Sequence, residues 1–367
     1  MLIDKKVIIL YRVTQGWRIP IFNSLGKHFK DFIVFYGPDF RGTKVVSSNT
    51  DIKFKRKKLI SFKIRFKGSY SEGQTILSPF LFFLLLKERP DVVITEGKSN
   101  IFNAFQGFLY AKLFRKKFIW WSLGALRFQI KNFKNSCINK IVKFIVSNSN
   151  SIITYSSQGK NYYHQLLKVD PDKIFPAINV VDTDHWIQKY RPKKHHNERI
   201  VLLFVGHIVK EKNIELLINS FIKVNSNNEF VLNIVGDGKD KIFFENQTKS
   251  IPNLNFIGRV YEGIERYFNE ADIFILPGLG GLAISHAMCF GLPIICSDGD
   301  GSERDLVKND FNGYYIEDIN EWQLVEKIEA LKNIELRNKF SENSRKLILE
   351  KYNKKNYIQK ILDAINY

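Results

Sequence analysis

Residues 272–296 read DIFILPGLGGLAISHAMCFGLPIIC. Asp272–Leu276 is apolar and the length of a strand. Pro277 and three glycines, Gly278, Gly280 and Gly281, then break the pattern. Leu282–Phe290 carries apolar residues at helical spacing, Gly291-Leu292-Pro293 stops it, and Pro293–Cys296 is a second short apolar run. Strand, glycine-rich turn, helix and strand make a βαβ unit, whose two strands must be parallel. A parallel sheet needs cover on both faces, so the fold class is α/β. The glycine loop falls at the carboxyl end of its strand, where open α/β sheets take their ligands. Free N–H groups at Gly280, Gly281 and Leu282 would open the helix toward an anion or a sugar hydroxyl. His286 follows on the first turns of that helix. A buried, satisfied histidine is the commoner case, but its place just past an anion-binding loop favours a ligand role.

Outward from this unit the same rhythm continues. In the C-terminal half, strands are predicted at Ile200–Val205, Val231–Val235, Leu254–Ile257, Asp272–Leu276 and Pro293–Cys296. Helices are predicted at Asn213–Val224, Gly263–Asn269, Leu282–Phe290, Glu321–Lys332 and Glu335–Tyr352. In the N-terminal half, strands are expected at Lys6–Leu10, Phe32–Tyr36, Asp91–Thr95, Phe118–Trp121 and Ser151–Tyr155, with helices at Ile19–Phe29, Asn100–Phe114 and Cys137–Ser147. Around Gln188–Glu198 the chain turns polar and basic, QKYRPKKHHNE, and reads as a linker. The expected organisation is a Rossmann-like domain at 1–187, a linker at 188–198 and a second Rossmann-like domain at 199–345. Helices at 346–367 are expected to pack back on the first domain. Two such domains would face each other across a cleft, with their strand carboxyl ends toward it.

Three further strand ends in the second half carry glycine: Val205-Gly206-His207, Val235-Gly236-Asp237-Gly238 and Ile257-Gly258-Arg259. One such glycine says little, because turns need glycine anyway; three at one edge of a sheet point to close backbone approach to a ligand. Lys210 and Lys212 stand where the next helix begins, and a lysine beside free helix N–H groups suits a diphosphate. Asp298-Gly299-Asp300-Gly301-Ser302-Glu303 follows the last core strand and either supplies a carboxylate near a ligand or is a solvated turn. In the first half, Thr14-Gln15-Gly16-Trp17-Arg18 joins the first strand to its helix, with Gly16 and Arg18 as candidates. A plain turn is the alternative. Glu96, Lys98 and Arg127 follow later strands on the acceptor side.

Composition narrows the partners. The 367 residues suffice for two domains, and 44% hydrophobic residues can build real cores. Cys137, Cys289 and Cys296 are too few and too scattered for a disulfide framework or a zinc site, and Cys289 and Cys296 read as core residues. The start MLIDKK lacks a basic segment followed by a long apolar core, so a cytoplasmic protein is expected. The longest apolar run, Ile76–Leu86, falls short of the about 20 residues needed to cross a bilayer and is expected to be a buried helix. The formal charge of +19 is uneven: residues 1–170 hold 30 Lys and Arg against 9 Asp and Glu, and residues 171–367 hold 26 against 28. The densest stretch is IKFKRKKLISFKIRFK at 52–67, whose second part alternates apolar and basic residues as a strand with one wet face would. Solvated lysines would explain it, but the mixture also suits an anionic membrane surface.

Several stretches together resemble family 4 glycosyltransferases, retaining enzymes of the GT-B fold. They are FVGHIVKEKNIELLI, LNIVGDG, NFIGRV, ADIFILPGLGGLAISHAMCFGLPIICSD and GSERDLVKNDFNGYY, with NVVDTDHW at 179–186 before the linker. The resemblance covers essentially all of the second domain and, more weakly, the first. It implies a nucleotide-diphosphate sugar held mainly by the second domain, retention of anomeric configuration, no cofactor and no metal. Donor contacts would come from Gly206, Gly236, Gly258, Arg259, Val260, Gly278, Gly280, Gly281, Leu282 and Glu303, with Gly16 and Arg18 from the first domain. Lys212, His207 and His286 would form the catalytic set. This sequence departs from the family pattern in four places. His207 stands where an arginine is usual. Gly278 and His286 stand at the two positions of the usual Glu-x7-Glu pair. Ser122, in Trp120-Trp121-Ser122-Leu123-Gly124, occupies the region where the family carries a histidine.

The expected activity is transfer of a sugar to a glycan or lipid-linked acceptor, in bacterial surface polysaccharide synthesis, by a cytoplasmic protein peripheral on the inner face of the membrane. Three rival readings differ in what they require. A nucleic-acid-binding protein would place its cations on a recognisable module, and none is evident. An inactive GT-B subunit would bind nucleotide sugar without turning it over. A two-domain epimerase shares the architecture but would release no free diphosphate in step with glycoside.

Overall fold

The computed structural model describes residues 2–40, 46–65, 74–124, 137–192 and 198–367. Its chain forms two units, Met1–Ala177 with Tyr357–Tyr367, and Ile178–Asn356.

The first unit is built on β1 (Ile3–Tyr11), whose Val7, Ile8, Ile9 and Leu10 are all buried. A run of consecutive apolar residues, without alternation, is what a strand covered on both faces requires. β1 pairs in parallel with β2 (Phe29–Tyr36) on one side and β6 (Val92–Glu96) on the other. β3 (Lys55–Lys58), β7 (Lys117–Ser122), β8 (Ser151–Thr154) and β9 (Ile174–Pro176) complete a seven-stranded sheet in the order β3-β2-β1-β6-β7-β8-β9. β4 (Phe62–Arg65) and β5 (Gln74–Leu77) form a separate antiparallel pair. The strand order reverses direction between β1 and β6, and that reversal opens the crevice at their carboxyl ends.

One face of this sheet offers Ile8, Leu10, Ile33, Phe35, Val93, Phe118, Trp120 and Ile152. Helices Leu81–Glu88, Ile101–Leu113 and Cys137–Ser147 cover it with Leu81, Leu85, Ala104, Phe108, Val142 and Ile145. On the opposite face Tyr11 packs edge-on against Phe22 of helix Ile19–Gly26, with ring centroids 5.3 Å apart, and Phe54 joins Phe22 and Phe32. Two expectations change here. The apolar run at 76–86 is not one buried helix. It splits into β5 and a helix that leaves Phe80 and Phe83 exposed; the helix ends at left-handed Arg89, just before Pro90. The basic stretch at 52–67 is partly committed inward. Phe54 joins the core, and Arg56 donates to Ser48 O (2.9 Å) and Asn49 Oδ1 (2.6 Å). Phe66 and Lys67 lie outside the described residues.

The second unit repeats the plan. β10 (Ile200–Val205), β11 (Phe230–Val235), β12 (Leu254–Gly258), β13 (Ile273–Leu276), β14 (Ile294–Cys296) and β15 (Gly313–Tyr315) form a sheet in the order β12-β11-β10-β13-β14-β15, with every pair parallel. The reversal falls between β10 and β13, so the strand ends beside it are Gly206 and the 277–281 loop. Asn320 and Gln323 form a reciprocal capping box that starts helix Glu321–Ala330.

The division of the chain differs from the expected one. Residues 178–192 belong to the second unit, where Val181 N donates to Ser285 Oγ (3.1 Å) and Lys354 pairs with Asp182 and Asp184. Helix Ile334–Glu350 also stays there, burying Phe340, Ser344 and Ile348. Only Tyr357–Tyr367 joins the first unit. There Ile361 and Ile365 are buried, Ser151 Oγ donates to Ala364 O (2.7 Å), and Lys117 Nζ donates to Ile365 O (2.8 Å). Of the expected linker, 193–197 lies outside the described residues.

Candidate active site

The second unit gathers most of the candidates at the reversal point of its sheet. A short turn, Lys210–Lys212, follows β10, and Asn213 holds a left-handed conformation (φ 52°) before helix Ile214–Val224. That geometry turns the Asn213 amide onto Pro277 O (2.8 Å), while Leu279 N donates to Glu211 O (2.9 Å). The glycine loop is thereby fastened to the lysine turn. Lys212 runs back past Gly206, and its Nζ donates to Leu279 O. A side chain at Gly280 would put its Cβ 2.5 Å from that ammonium nitrogen, and Gly280 itself holds φ +151°. Lys212, Gly206 and Gly280 therefore come together, with a cation over backbone that carries no side chain.

Position 278 has no room for a side chain. A Cβ there would stand 2.4 Å from Glu211 O and 2.7 Å from the Lys212 backbone. Gly236 and Gly238 are held as tightly: their Cβ atoms would fall 1.8 Å from Gly206 O and 2.0 Å from Ile208 O. At Gly281 a Cβ would meet Ser302 Oγ at 2.2 Å and Asp300 Oδ1 at 2.6 Å, so the 298–303 loop packs directly on the glycine loop. That loop is not a solvated turn. Glu303 is buried and accepts from Gly301 N (2.9 Å). Burial, with the charge of Asp300 beside it, pushes the Glu303 carboxyl up to about 7. Helix Leu282–Cys289 starts at Gly281 with no side chain capping it. Leu282 is its first residue.

Other candidates stand apart from this cluster or are spoken for. His207 is half-buried just after Gly206. At the end of β12, Gly258 faces open space, Arg259 is exposed and reaches Asp237 (3.5 Å) and Tyr261 (3.2 Å), and Val260 is half-buried. The His286 ring stands against Trp186 and Phe268, with centroids 4.1 and 4.2 Å away, and near Phe290. Its Nε2 is enclosed without a hydrogen bond, and burial, with His185 nearby, pushes the ring down to about 3. His286 is thus neutral at physiological pH and cannot serve as a cationic acid there; a neutral hydrogen-bonding role is compatible with the geometry.

In the first unit, Gly16 is exposed beside Ser48, but Arg18 is fully buried. It donates to Tyr11 OH (3.2 Å) and Tyr357 OH (2.6 Å) and lies over the rings of Trp17 and Trp121. The expectation that Arg18 meets a donor phosphate fails for this reason: it is a cation enclosed by aromatic rings. Glu96 is held by Arg12, through its backbone N (2.6 Å) and Nε (3.4 Å). Lys98 opens the turn after β6, and desolvation lowers its ammonium from the usual lysine range. Ser122 lies against Gly97, where a Cβ would come within 2.6 Å of its Oγ. Arg127 lies outside the described residues.

Sequence reading missed Asn213, which ties the lysine turn to the glycine loop. Asparagine at the turn between Lys212 and an apolar helix was the available signal, since asparagine tolerates the left-handed region. It also missed Arg304 and Tyr315, whose hydrogen bonds hold Asp298 below the usual carboxylate range although burial opposes this.

Comparison with known proteins bears on the family. Residues 187–347 match the family described as Glycosyl transferases group 1. The match places this family's signature in the second unit, and relatives named as glycosyltransferases extend the likeness over most of the chain. An uncharacterized glycosyltransferase of Methanocaldococcus jannaschii is 26% identical over 76% of this chain and 76% of its own length. The capsular polysaccharide biosynthesis glycosyltransferase CapM of Staphylococcus aureus is 26% identical over 77% of this chain and 78% of its own. Among solved structures, Anabaena HepE in complex with UDP matches with a TM-score of 0.74 at 13% identity, covering 98% of this chain and 99% of that one. At that identity the likeness speaks for the fold alone: two parallel-sheet α/β units of GT-B type. The tethered lysine turn and the two packed glycine loops of this glycosyltransferase all lie within the matched region.

Proposed function

We propose that this glycosyltransferase moves a sugar from a nucleotide-diphosphate sugar to a glycan or lipid-linked acceptor of surface polysaccharide synthesis. Retention of configuration, independence of metal and work at the inner face of the cell membrane belong to the same proposal. One observation carries it: Lys212 reaches over Gly280 at the uncapped start of helix Leu282–Cys289. A cation beside free helix N–H groups, on backbone bare of side chains, suits a diphosphate in both charge and shape. The UDP held by HepE, which shares the fold, supports this choice of ligand. The name of CapM supports the polysaccharide context.

The chemistry follows from what the pocket contains. Transfer is limited by charge developing on the leaving diphosphate, and Lys212 with the N–H groups of Gly281 and Leu282 would neutralise it. No carboxylate nucleophile is needed if the acceptor is held in line. Glu303, shielded and close to its neutral form, would brace the 299–301 backbone under the glycine loop instead of attacking the sugar. His286, neutral, would give or take one hydrogen bond from a ribose hydroxyl. On the acceptor side, Lys98 and Ser122 are the available groups.

Thermal-shift titration against UDP, GDP, ADP and their sugars tests the proposal. A ligand at about 100 times its Kd should stabilise by about 2.7 kcal/mol. No shift with any nucleotide would refute the diphosphate site. Nucleotide binding without glycoside formed in step with free diphosphate would favour the inactive-subunit reading.

A further inference from the structure

We propose that the outer face of the three helices Leu81–Glu88, Ile101–Leu113 and Cys137–Ser147 is the surface by which this protein lies on anionic lipid. The inference rests on the membrane part of the function proposed above and gives it a location that the sequence did not suggest. These helices cover one face of the first sheet with their inner sides. A helix in that position ordinarily turns charged and polar residues outward. Here the outward residues are Phe83 (67% exposed), Phe105 (45%), Leu109, Leu113 (62%), Ile141 and Phe144 (57%). Phe105, Leu109 and Leu113 recur every four residues and so form one stripe along their helix. Phe108 joins this helix to the next through Phe144 (5.7 Å), and Gln106 joins it to the first by accepting from Phe82 N (3.2 Å). The three helices are therefore neighbours in one layer, and the six exposed side chains lie on that layer.

Charge selects the occupant. Lys87, Lys112, Arg115, Lys140 and Lys143 are exposed on or beside the same helices. Across the three helices the one acid is Glu88, at the end of the first, and it is paired with Lys6 (2.6 Å). Aromatic and aliphatic side chains interleaved with cations, the single acid being neutralised by its own lysine, match a headgroup layer over an apolar interior. A second copy of the chain fits poorly. A two-fold contact would set this same cationic patch against itself. No described helix is long and apolar enough to cross a membrane, so the contact would be made by side chains at the surface.

The test is co-sedimentation of the full chain with phosphatidylglycerol-containing and pure phosphatidylcholine vesicles, at low and high salt. Wild type should bind the anionic vesicles and leave the neutral ones largely alone. Phe105→Ser/Leu109→Ser/Phe144→Ser should lose about tenfold or more in vesicle affinity and all binding that survives high salt. Lys112→Ser/Lys140→Ser/Lys143→Ser should lose roughly fivefold per cation at low salt only. Lys55→Ser/Lys58→Ser, on strand β3, should lose far less than either. All three variants should melt and bind nucleotide as wild type does. Wild-type indifference to anionic vesicles overturns the inference, as does undiminished binding by the apolar variant. An apolar variant that turns a dimer into a monomer in sedimentation, with vesicle binding unchanged, assigns the face to a second copy. Failure of nucleotide binding in wild type would strike the transferase proposal and leave this surface standing.

Discussion

Restoring glutamate at position 278 should damage this enzyme. The resemblance drawn from the sequence would set a glutamate there, so Gly278→Glu is the substitution that it alone would treat as a repair. The structure predicts the reverse. The first side-chain atom would lie 2.4 Å from Glu211 O and 2.7 Å from the Lys212 Cα and carbonyl carbon. These are backbone atoms, and Leu279 N binds that same Glu211 carbonyl (2.9 Å). Moving them away breaks the tether and carries Lys212 off the loop. Overpacking of a tight site costs about 1–3 kcal/mol. For a domain of this size, about 2 kcal/mol corresponds to a fall in Tm of roughly 4–8 °C. Because the clash begins at Cβ, Gly278→Ala should be nearly as harmful as Gly278→Glu. Nucleotide affinity should fall in both, since the pocket floor moves. The assay is a melt of wild type and both variants, with a nucleotide titration of each. A Glu variant as stable as wild type, with equal or higher turnover, would refute the packing argument. An Ala variant that is silent while Glu alone is harmful would refute the claim that Cβ is the offending atom.

Lys212→Ala should keep the fold and lose about 2–4 kcal/mol of transition-state stabilisation, seen as a fall in kcat/KM; near-normal turnover would remove Lys212 from the site. Activity should persist in excess chelator, and dependence on added Mg²⁺ or Mn²⁺ would contradict the leaving-group assignment to Lys212 and backbone. Glu303 has a folded-state pKa of about 7, above its unfolded value, so its neutral form is favoured by folding. Its contribution is present at low pH and lost as pH rises from about 4.5 to about 7, by at most roughly 3 kcal/mol. Glu303→Gln should therefore flatten the fall in stability between pH 5 and 8, and an unchanged pH profile of Tm would show that Glu303 is ionised throughout. His286 behaves oppositely. Its neutral form is favoured by folding, with a pKa of about 3, so stability is lost as pH falls below about 6.5. His286→Phe should be less sensitive to acid between pH 6 and 4 in the same melts.

How far the sequence revealed the fold depended on burial. Strand β10 at Ile200–Val205 and helix Cys137–Ser147 were readable to the residue, because each is a clean apolar pattern bounded by breakers. β4 falls where the apolar–basic alternation within 52–67 reads as a strand; the short strands β3, β5 and β9 were not readable. Lys55–Lys58 is four cations in a row, and nothing in KRKK carries the pattern of a strand. It pairs because the β2 edge offers unpaired backbone groups from Ile33 to Tyr36. Tertiary context overrode local preference there. The run at 76–86 misled for the converse reason. Its apolar residues look like a core, yet only part of them meets one. Sequence pattern reports that a residue is apolar, but only the packed neighbours decide whether it is covered.

The site divides along the same line. Glycines announce themselves, because a strand end that lacks side chains four times over is a departure visible in letters. What each glycine makes room for is invisible there. At Gly280 the space belongs to an ammonium group, while at Gly278 it belongs to the neighbouring backbone. Two positions in one loop thus share a residue type for different purposes, one to admit the Lys212 ammonium and one to let the chain close on itself. Arg18 and His286 show the limit from the other side. Both are residue types that bind phosphate or sugar when exposed, and both stand at sequence positions where a ligand was expected. Each is instead enclosed by aromatic rings, Arg18 by tyrosines and tryptophans, His286 by Trp186 and Phe268. The aromatic residues that enclose them come from distant parts of the chain, Tyr357 from near its end and Phe268 from the helix before β13. Proximity in sequence to a loop therefore named the residue types but not their surroundings, because chemistry at a site is set by the whole shell around a side chain. By the same argument Lys212 is the strongest of the candidates: its tether to Leu279 O is a direct contact with the loop itself, and nothing in its position depends on resemblance.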